Sequence, residues 1–508
     1  MSIQSFPKTL AGKHVHFIGA KGTGMAALAE IFAARGADLS GSDVPDTFYT
    51  DAILRSIHMK VWESFDPAHI DQAIDLVIFS DAYNPGSNPE MAEAQRLQLP
   101  MFSFAEALGA LSKLYDASGI SGVHGKTTTT AMAGSLLAAL GAPMTVLTGS
   151  SVASFGDRCT LIAGDRYFVA ETDEYKRHFM HFSPRRILLT SVEGDHQDFY
   201  PTYASIREAF CDYVMSLPYG GLLVYCADDA GATEVARFAM DKRGDLRCAP
   251  YGFSAEGPWK IISCATGEGK TRFRIGASDI DLELHVPGRH LVLDAVGALA
   301  LASDIVTDWQ DGLAMSEGQW RQASEALGQF RGSRRRSEII GEAGGVLVMD
   351  DYAHHPTALK ATIAGIKAFW PSRRLIVDFM SHTYSRTIAL MDEFAESLDE
   401  ADCIVLHGIY ASAREKKVEG VSGLDLFRKV KVRRSDLVEI TDDHNAGNSA
   451  TGNKEHFLMY AEHHGDCAAL VLPLLRKDDL FVTMGAGDNW KLGRTLLGHL
   501  KHKEGRNV

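Results

Sequence analysis

The chain has 508 residues, of which 45% are hydrophobic and 23% charged, and a formal net charge of −14. That length exceeds one ordinary core and predicts two to four domains of roughly 100–200 residues, while the composition excludes disorder over most of the chain. The negative balance argues against nucleic acid as a main partner, because neutralising a phosphate backbone takes a dense basic surface; Arg334, Arg335 and Arg336 form a local exception.

The cysteines, at 159, 211, 226, 248, 264, 403 and 467, include no CxxC pair, so neither a zinc knuckle nor a disulfide framework is suggested and a reducing compartment fits best. The start of the chain carries only a short apolar run at 15–20 and does not read as a signal peptide. No stretch is expected to approach the roughly 18 apolar residues of a membrane helix. A cytoplasmic protein without membrane contact is therefore expected.

In chain order, residues 14–20 (HVHFIGA) read as a buried strand entering a glycine turn, 25–36 as a helix ended by Gly36, and 38–43 as a second strand with a polar tip. Residues 75–82 repeat the theme, so 1–115 reads as a small α/β domain. The cluster G19-A-K-G22-T-G24 is not GxGxxG, but it sets backbone amides at a helix start where a diphosphate can sit. Asp43 at the tip of the second strand could accept hydrogen bonds from a ribose.

The second domain, 116–329, opens on GISGVHGKTTTT at 119–130. A strict phosphate-loop pattern wants glycine at Ile120; the working half is GVHGKTT, in which Gly122 and Gly125 permit the curl, Lys126 reaches terminal phosphates, and Thr127 or Thr128 ligates magnesium. A helix from Thr127 to about Leu140 follows, then strands at 167–171, 186–191 and 221–226 with polar tips. This alternation predicts a mostly parallel sheet with its site at the carboxyl edge, where Glu171, Asp195 and His196 fall. Magnesium favours oxygen ligands, so Thr127 and Glu171 suit one ion and His196 a second.

The third domain, 330–508, begins near FRGSRRRSEIIGE, with strands at 345–352, 374–379, 403–410 and 480–488. Asp350, Asp351, His354 and His355 follow an apolar strand, as nucleotide contacts on a mobile domain would. Residues 441–456, polar and without periodicity, read as a surface insertion.

The series GVHGKTTTT, AETDEY, the His196 segment, PGRH, FRGSRRRSEIIGE, DDYAHHPTALKAT, SHTYSRT, IYASARE, GVSG and TMGAGDNW resembles the Mur ligases of peptidoglycan synthesis over about residues 14–490. The resemblance is strongest to the branch that adds L-alanine. It implies three α/β domains: a Rossmann-like one for the UDP-sugar, a central P-loop-type ATPase and a Rossmann-like closing domain. Its cofactors would be ATP and Mg2+, and its substrates UDP-N-acetylmuramate, ATP and L-alanine. By motif match, Gly122, His124, Gly125, Lys126, Thr127, Thr128, His290, Arg336, Asp351 and His354 would contact nucleotide. Gly22, Thr23, Gly24, Met25, Ser42, Asp43, Ser80, His382 and Arg386 would contact the other substrates. Lys126, Glu171 and His196 would be catalytic, and Thr127, Glu171 and His196 would bind metal.

Some positions depart from the family pattern. Val123 stands where threonine is usual, Lys21 in place of glycine, Leu291 and Asp294 in place of asparagines, and Thr383 in place of arginine. DEYKRHF, after Glu171, is more similar to the branch that attaches recycled tripeptide. A nicotinamide oxidoreductase using Asp43, and a non-catalytic nucleotide-binding module, are the readings from other classes.

Overall fold

The computed structural model describes residues 6–197, 199–267, 269–411, 415, 418, 420–440 and 455–504. The expected insertion at 441–456 lies, apart from its last two residues, outside the described residues, as do residues 412–414 of IYASARE. The chain forms two compact units: Met1–Ser263 with Phe273–Leu282 and Leu293–Phe330, and Cys264–Arg272 with Glu283–Val292 and Arg331–Val508. The first unit holds two large sheets and the second unit holds one.

The first sheet comprises β1 (His14–Ile18), β2 (Asp38–Ser42), β3 (Lys60–Trp62), β4 (Leu76–Phe79) and β5 (Met101–Ser103), in the order β3-β2-β1-β4-β5. Every pairing is parallel, and the order reverses between β1 and β4, which is the Rossmann arrangement. Residues of β1 and β4 alternate between two cores. Phe17 and Ile78 face one with Phe32 of the helix Thr23–Ala34, while Ile18 and Val77 face the other with Met91 and Leu99.

The second sheet comprises β6 (Asp116–Ser121), β7 (Met144–Val152), β8 (Arg158–Ile162), β9 (Tyr167–Glu171), β10 (Arg186–Leu189), β11 (Leu222–Cys226) and β12 (Arg247–Tyr251), ordered β12-β11-β10-β6-β9-β7-β8. Only the β7–β8 pair is antiparallel, so the expected mostly parallel sheet is present. Glu30 ties the two sheets together: its buried carboxylate accepts from Arg158 Nη1 at 2.7 Å and from Thr160 Oγ1 at 2.9 Å on β8. A small sheet of β13 (Ile261–Gly267), β14 (Lys270–Ile275) and β15 (Ser278–Leu284) was not foreseen in the sequence.

One expectation is corrected. The helix Arg289–Trp309 has 21 residues and a most apolar window of mean hydropathy 1.5, so it is long and apolar enough to cross a membrane. However, 72% of that window is buried within the protein, as in the core helix of a globular domain.

The second unit carries β16 (Glu338–Ala343), β17 (Val346–Asp351), β18 (Arg374–Phe379), β19 (Cys403–His407), β20 (Val438–Ile440), β21 (Phe457–Ala461) and β22 (Asp479–Met484), ordered β16-β17-β22-β18-β19-β21-β20. All pairs are parallel except β16–β17. Leu375 and Val377 pack with Ile363 and Phe394 on one face, and Ile376 packs with Leu496 and Val471 on the other, so helices cover both faces.

A buried ion pair crosses this sheet. Asp378 Oδ2 lies 2.6 Å from His407 Nε2, both side chains are fully buried, and Asp378 Oδ1 accepts from Asn489 Nδ2 at 2.7 Å. Burial works against the imidazolium, but Asp378, with Cys467 nearby, lifts its pKa well above the ordinary value of 6.5. The pair's contribution to stability is therefore full below the unfolded value and lost as pH rises through the higher folded value. His407→Gln leaves Asp378 buried and uncompensated, and should destabilise the protein by about 3–5 kcal/mol at pH 6, less at strongly alkaline pH. Denaturant unfolding across pH checks both the size and the sign.

Candidate active site

At the β1/β4 switch point, Gly19 takes φ +81°, and a Cβ there would come within 2.8 Å of the Tyr83 ring and 2.9 Å of Ser80 Cβ. Glycine lets the two loops approach. The helix Thr23–Ala34 starts at Gly22 with no side-chain cap and no acidic residue in its first turn, which leaves its amide end positive. Gly22, Thr23, Gly24, Ser42, Asp43 and Ser80 thus meet at one sheet edge, while Met25 is buried in the core behind it. Asp43 accepts from the amides of Lys21 at 2.6 Å and Val44 at 2.7 Å, and Ser42 Oγ donates to Glu90. Lys21, the departure from the usual glycine, is buried and donates to the carbonyls of Val44 at 2.9 Å and Asp46 at 2.8 Å. It closes the loop over the tip of β2.

The phosphate loop joins β6 to the helix Lys126–Ala139. Gly125 is the N-cap in the left-handed region at φ +82°, and Gly122 takes φ +139°. Side chains are excluded from both: a Cβ on Gly122 would lie 2.1 Å from Thr190 Oγ1, and one on Gly125 would lie 2.5 Å from Asp294 Oδ1. The Asp294 carboxylate therefore lies against the start of this helix. The His124 amide donates to Ser191 Oγ at 2.9 Å and its ring pairs with Glu193, which pins the loop to the tip of β10. Thr128 is buried.

Thr127 Oγ1 donates to Glu171 Oε2 at 2.8 Å, and the Gly149 amide donates to the same oxygen at 2.9 Å. Two oxygens at this separation match an edge of a magnesium octahedron, for which bond lengths of 2.0–2.1 Å imply roughly 2.9 Å. The donor chemistry fits Mg2+. His196 sits apart from that pair: its Nε2 is 3.5 Å from Glu174 Oε1 and 3.9 Å from Asp195 Oδ2, on a backbone at φ +54°. Asp173, Glu174 and His196 each offer a ligand atom within 4.8 Å of the others. The pair and the triad are separate groups.

Lys126 lies at the centre. Its Nζ donates to Glu174 Oε2 at 2.7 Å, to Glu174 Oε1 at 3.0 Å and to the Gly122 carbonyl. Burial opposes the ammonium, but the charges of Glu174, Asp173 and Glu171 outweigh it and hold its pKa above the usual lysine value. Burial likewise opposes a charged His196, and its bond to Glu174 with the charge of Asp195 reverses the balance. Sequence reasoning missed Glu174; the only available signal was a second carboxylate three residues past Glu171. It also missed His178, which lies 3.7 Å from Asp173 Oδ2 and 3.5 Å from Asp81 Oδ2, beside Ser80.

In the second unit, Asp351 Oδ2 accepts from the Ser337 amide at 2.7 Å and Oδ1 from the Ala353 amide at 2.8 Å, so this carboxylate shapes its own loop. Arg336 lies over the Tyr352 ring at 4.8 Å, and His354 Nδ1 is 2.9 Å from the Tyr352 carbonyl. The His354 and His382 rings are 6.1 Å apart, His382 stacks on Tyr410 at 6.0 Å, and Arg386 is buried in the helix Tyr384–Ala389. Thr383, in place of arginine, caps that helix at φ +66°. Within the segment 283–292, His290 folds over Gly288, where a Cβ would meet its ring at 2.4 Å. Burial pushes Asp350, next to Asp351, up to about 6.

Three α/β sheets, one with a glycine-lined loop that presents lysine, threonine and acidic side chains at its carboxyl edge, define a protein built to handle phosphate groups. Family models match in the same order: the Mur ligase family catalytic domain at residues 14–116, the Mur ligase middle domain at 120–302 and the Mur ligase glutamate ligase domain at 335–487. UDP-N-acetylmuramate–L-alanine ligase of Treponema pallidum is 44% identical over 499 residues, covering 98% of this chain and 99% of that protein. Among solved structures, UDP-N-acetylmuramate–alanine ligase of Thermotoga maritima aligns with TM-score 0.73 at 23% identity, covering 96% of this chain and 99% of that one. A murein peptide ligase of Psychrobacter arcticus aligns at TM-score 0.62 and 22% identity, with the same coverage. These two alignments establish the fold. The chain belongs to the Mur ligase family.

The loop itself is open to test. Gly122→Ala combines a left-handed backbone with a 2.1 Å approach to Thr190 Oγ1. It should lower stability by about 1–3 kcal/mol and nucleotide-dependent activity by more than about tenfold, as read by thermal melts and phosphate release.

Proposed function

We propose that this protein is a cytoplasmic, ATP-dependent amide ligase that joins L-alanine to the lactyl carboxylate of UDP-N-acetylmuramate. The observation that carries the reading is the convergence of Lys126, Thr127, Glu171 and His196 at one sheet edge, in a chain 44% identical over almost its whole length to a protein named for that activity. Residues 1–115 would bind the UDP-sugar, 116–329 would bind ATP, and 330–508 would be the amino-acid and nucleotide-binding domain.

A carboxylate is a poor electrophile, so amide formation needs it activated as an acyl phosphate. A carboxylate oxygen of the sugar attacks the γ-phosphorus of ATP in line, and ADP leaves. The amine of alanine then attacks the acyl carbon, a proton is lost from nitrogen, and phosphate departs. Lys126 and the amides at the start of its helix would hold the transferring phosphoryl group. Thr127 and Glu171 would hold one Mg2+, and His196 with Glu174 or Asp173 a second; the ions would supply charge neutralisation at the phosphoryl oxygens. No protein nucleophile is required.

In a mixture of protein, ATP, magnesium and UDP-N-acetylmuramate, mass spectrometry should find the alanine adduct when alanine is supplied. An adduct only with tripeptide would transfer the chain to the other branch. Lys126→Ala should reduce alanine-dependent phosphate release by at least about a thousandfold while leaving UDP-sugar binding within about twofold of the parent. Retained turnover in that variant would remove the assignment of the loop.

A further inference from the structure

We propose that Glu174 is a positioning residue that occupies the phosphate place on Lys126 when no nucleotide is bound, and that nucleotide phosphate displaces it onto His196. The inference rests on the nucleotide reading above and deepens it.

A lysine ammonium has three donors. All three have acceptors here: the two carboxylate oxygens of Glu174 and the Gly122 carbonyl. A phosphate oxygen can therefore engage Lys126 only by displacing one of them. The Gly122 carbonyl belongs to a loop pinned at Thr190 and Ser191, where there is no room even for a methyl group. The Glu174 carboxylate is the movable occupant. It is also the one that repels phosphate, being 2% exposed in its side chain and so poorly screened.

Its destination is already close. Glu174 Oε1 lies 3.5 Å from His196 Nε2, so rotation of the carboxylate exchanges the ammonium for the imidazole. The backbone need not follow: the Glu174 carbonyl accepts from Tyr200 hydroxyl at 2.6 Å and from the Arg177 amide at 2.9 Å. Lys176 and Arg177, both at positive φ immediately afterwards, close a tight turn that keeps the side chain aimed at Lys126. The buried carboxylate keeps a nitrogen donor as its partner before and after phosphate arrives.

The test is the affinity of the full-length protein for ADP by calorimetry with EDTA present, so that metal ligation does not contribute. Glu174→Gln removes the competing charge and should tighten ADP binding by roughly tenfold, while kcat falls because His196 loses its carboxylate partner. Glu174→Asp should restore part of the parent kcat. His196→Asn removes the destination and should weaken ADP binding relative to the parent. Equal or weaker ADP binding by Glu174→Gln, or unchanged binding by His196→Asn, overturns the exchange while leaving the nucleotide reading in place. Failure of the parent protein to bind ADP with or without magnesium overturns both.

Discussion

A buried positive charge organises the central sheet edge. Lys126 sits where a chain curl, forced by two glycines, leaves little water around its ammonium, and removing such a charge from water is costly unless anions replace the lost solvation. Glu174, Asp173 and Glu171 supply them, and their effect outweighs burial. Other features follow from that requirement. β9 must end in a carboxylate, the turn after it must double back, and His196 must stand near enough to share the second acidic group. A ligand that brings phosphate to this edge meets a lysine already oriented and a set of carboxylates already arranged for cations.

Much of the fold was legible because parallel strands covered on both faces are written as unbroken apolar runs. RLIVDF and YFVAE form strands with the expected bounds, and the residues of β17 and β18 are divided between two cores. β6 shows why a run can mislead. DASGIS is the middle strand of the second sheet, yet apart from Ile120 it is made of small and polar residues; a Cβ at Gly119 would fall 2.2 Å from the Tyr213 hydroxyl. Bulk comes from the neighbours, so hydropathy along the strand is low. Three-residue strands such as β3, β5 and β20 are too short to show a period, and the helix Arg289–Trp309 is apolar enough to be confused with a membrane span when its burial is unknown.

The candidate site was legible in part for a different reason. Lys126, Thr127, Glu171 and His196 lie at strand ends or helix starts, where their placement follows from the sheet alone. Glu174 lies beyond a strand end, and its direction is set by left-handed residues at 176 and 177 that carry no glycine to announce them. Gly149, whose amide holds Glu171, reaches the site through β7, which pairs with β9 across the sheet. Such contacts depend on register between strands distant in sequence, and no local pattern encodes them.

The two edges of the first unit are linked mechanically through one helix. The helix Thr23–Ala34 offers its amide end to the β1/β4 switch point, while Glu30 on the same helix is anchored by Arg158 and Thr160 on β8. β8 pairs with β7, β7 with β9, and β9 ends in Glu171 beside Thr127. Burial raises the Glu30 pKa despite both partners, so this carboxylate sits in a dry seam and tolerates little displacement. An in-line attack between two bound anions demands placement to within a fraction of an ångström, and a continuous ladder of strands with a buried anchor can transmit that placement from one site to the other. The carboxylate of Asp294, against the start of the phosphate-loop helix, adds negative charge at the other end of this ladder.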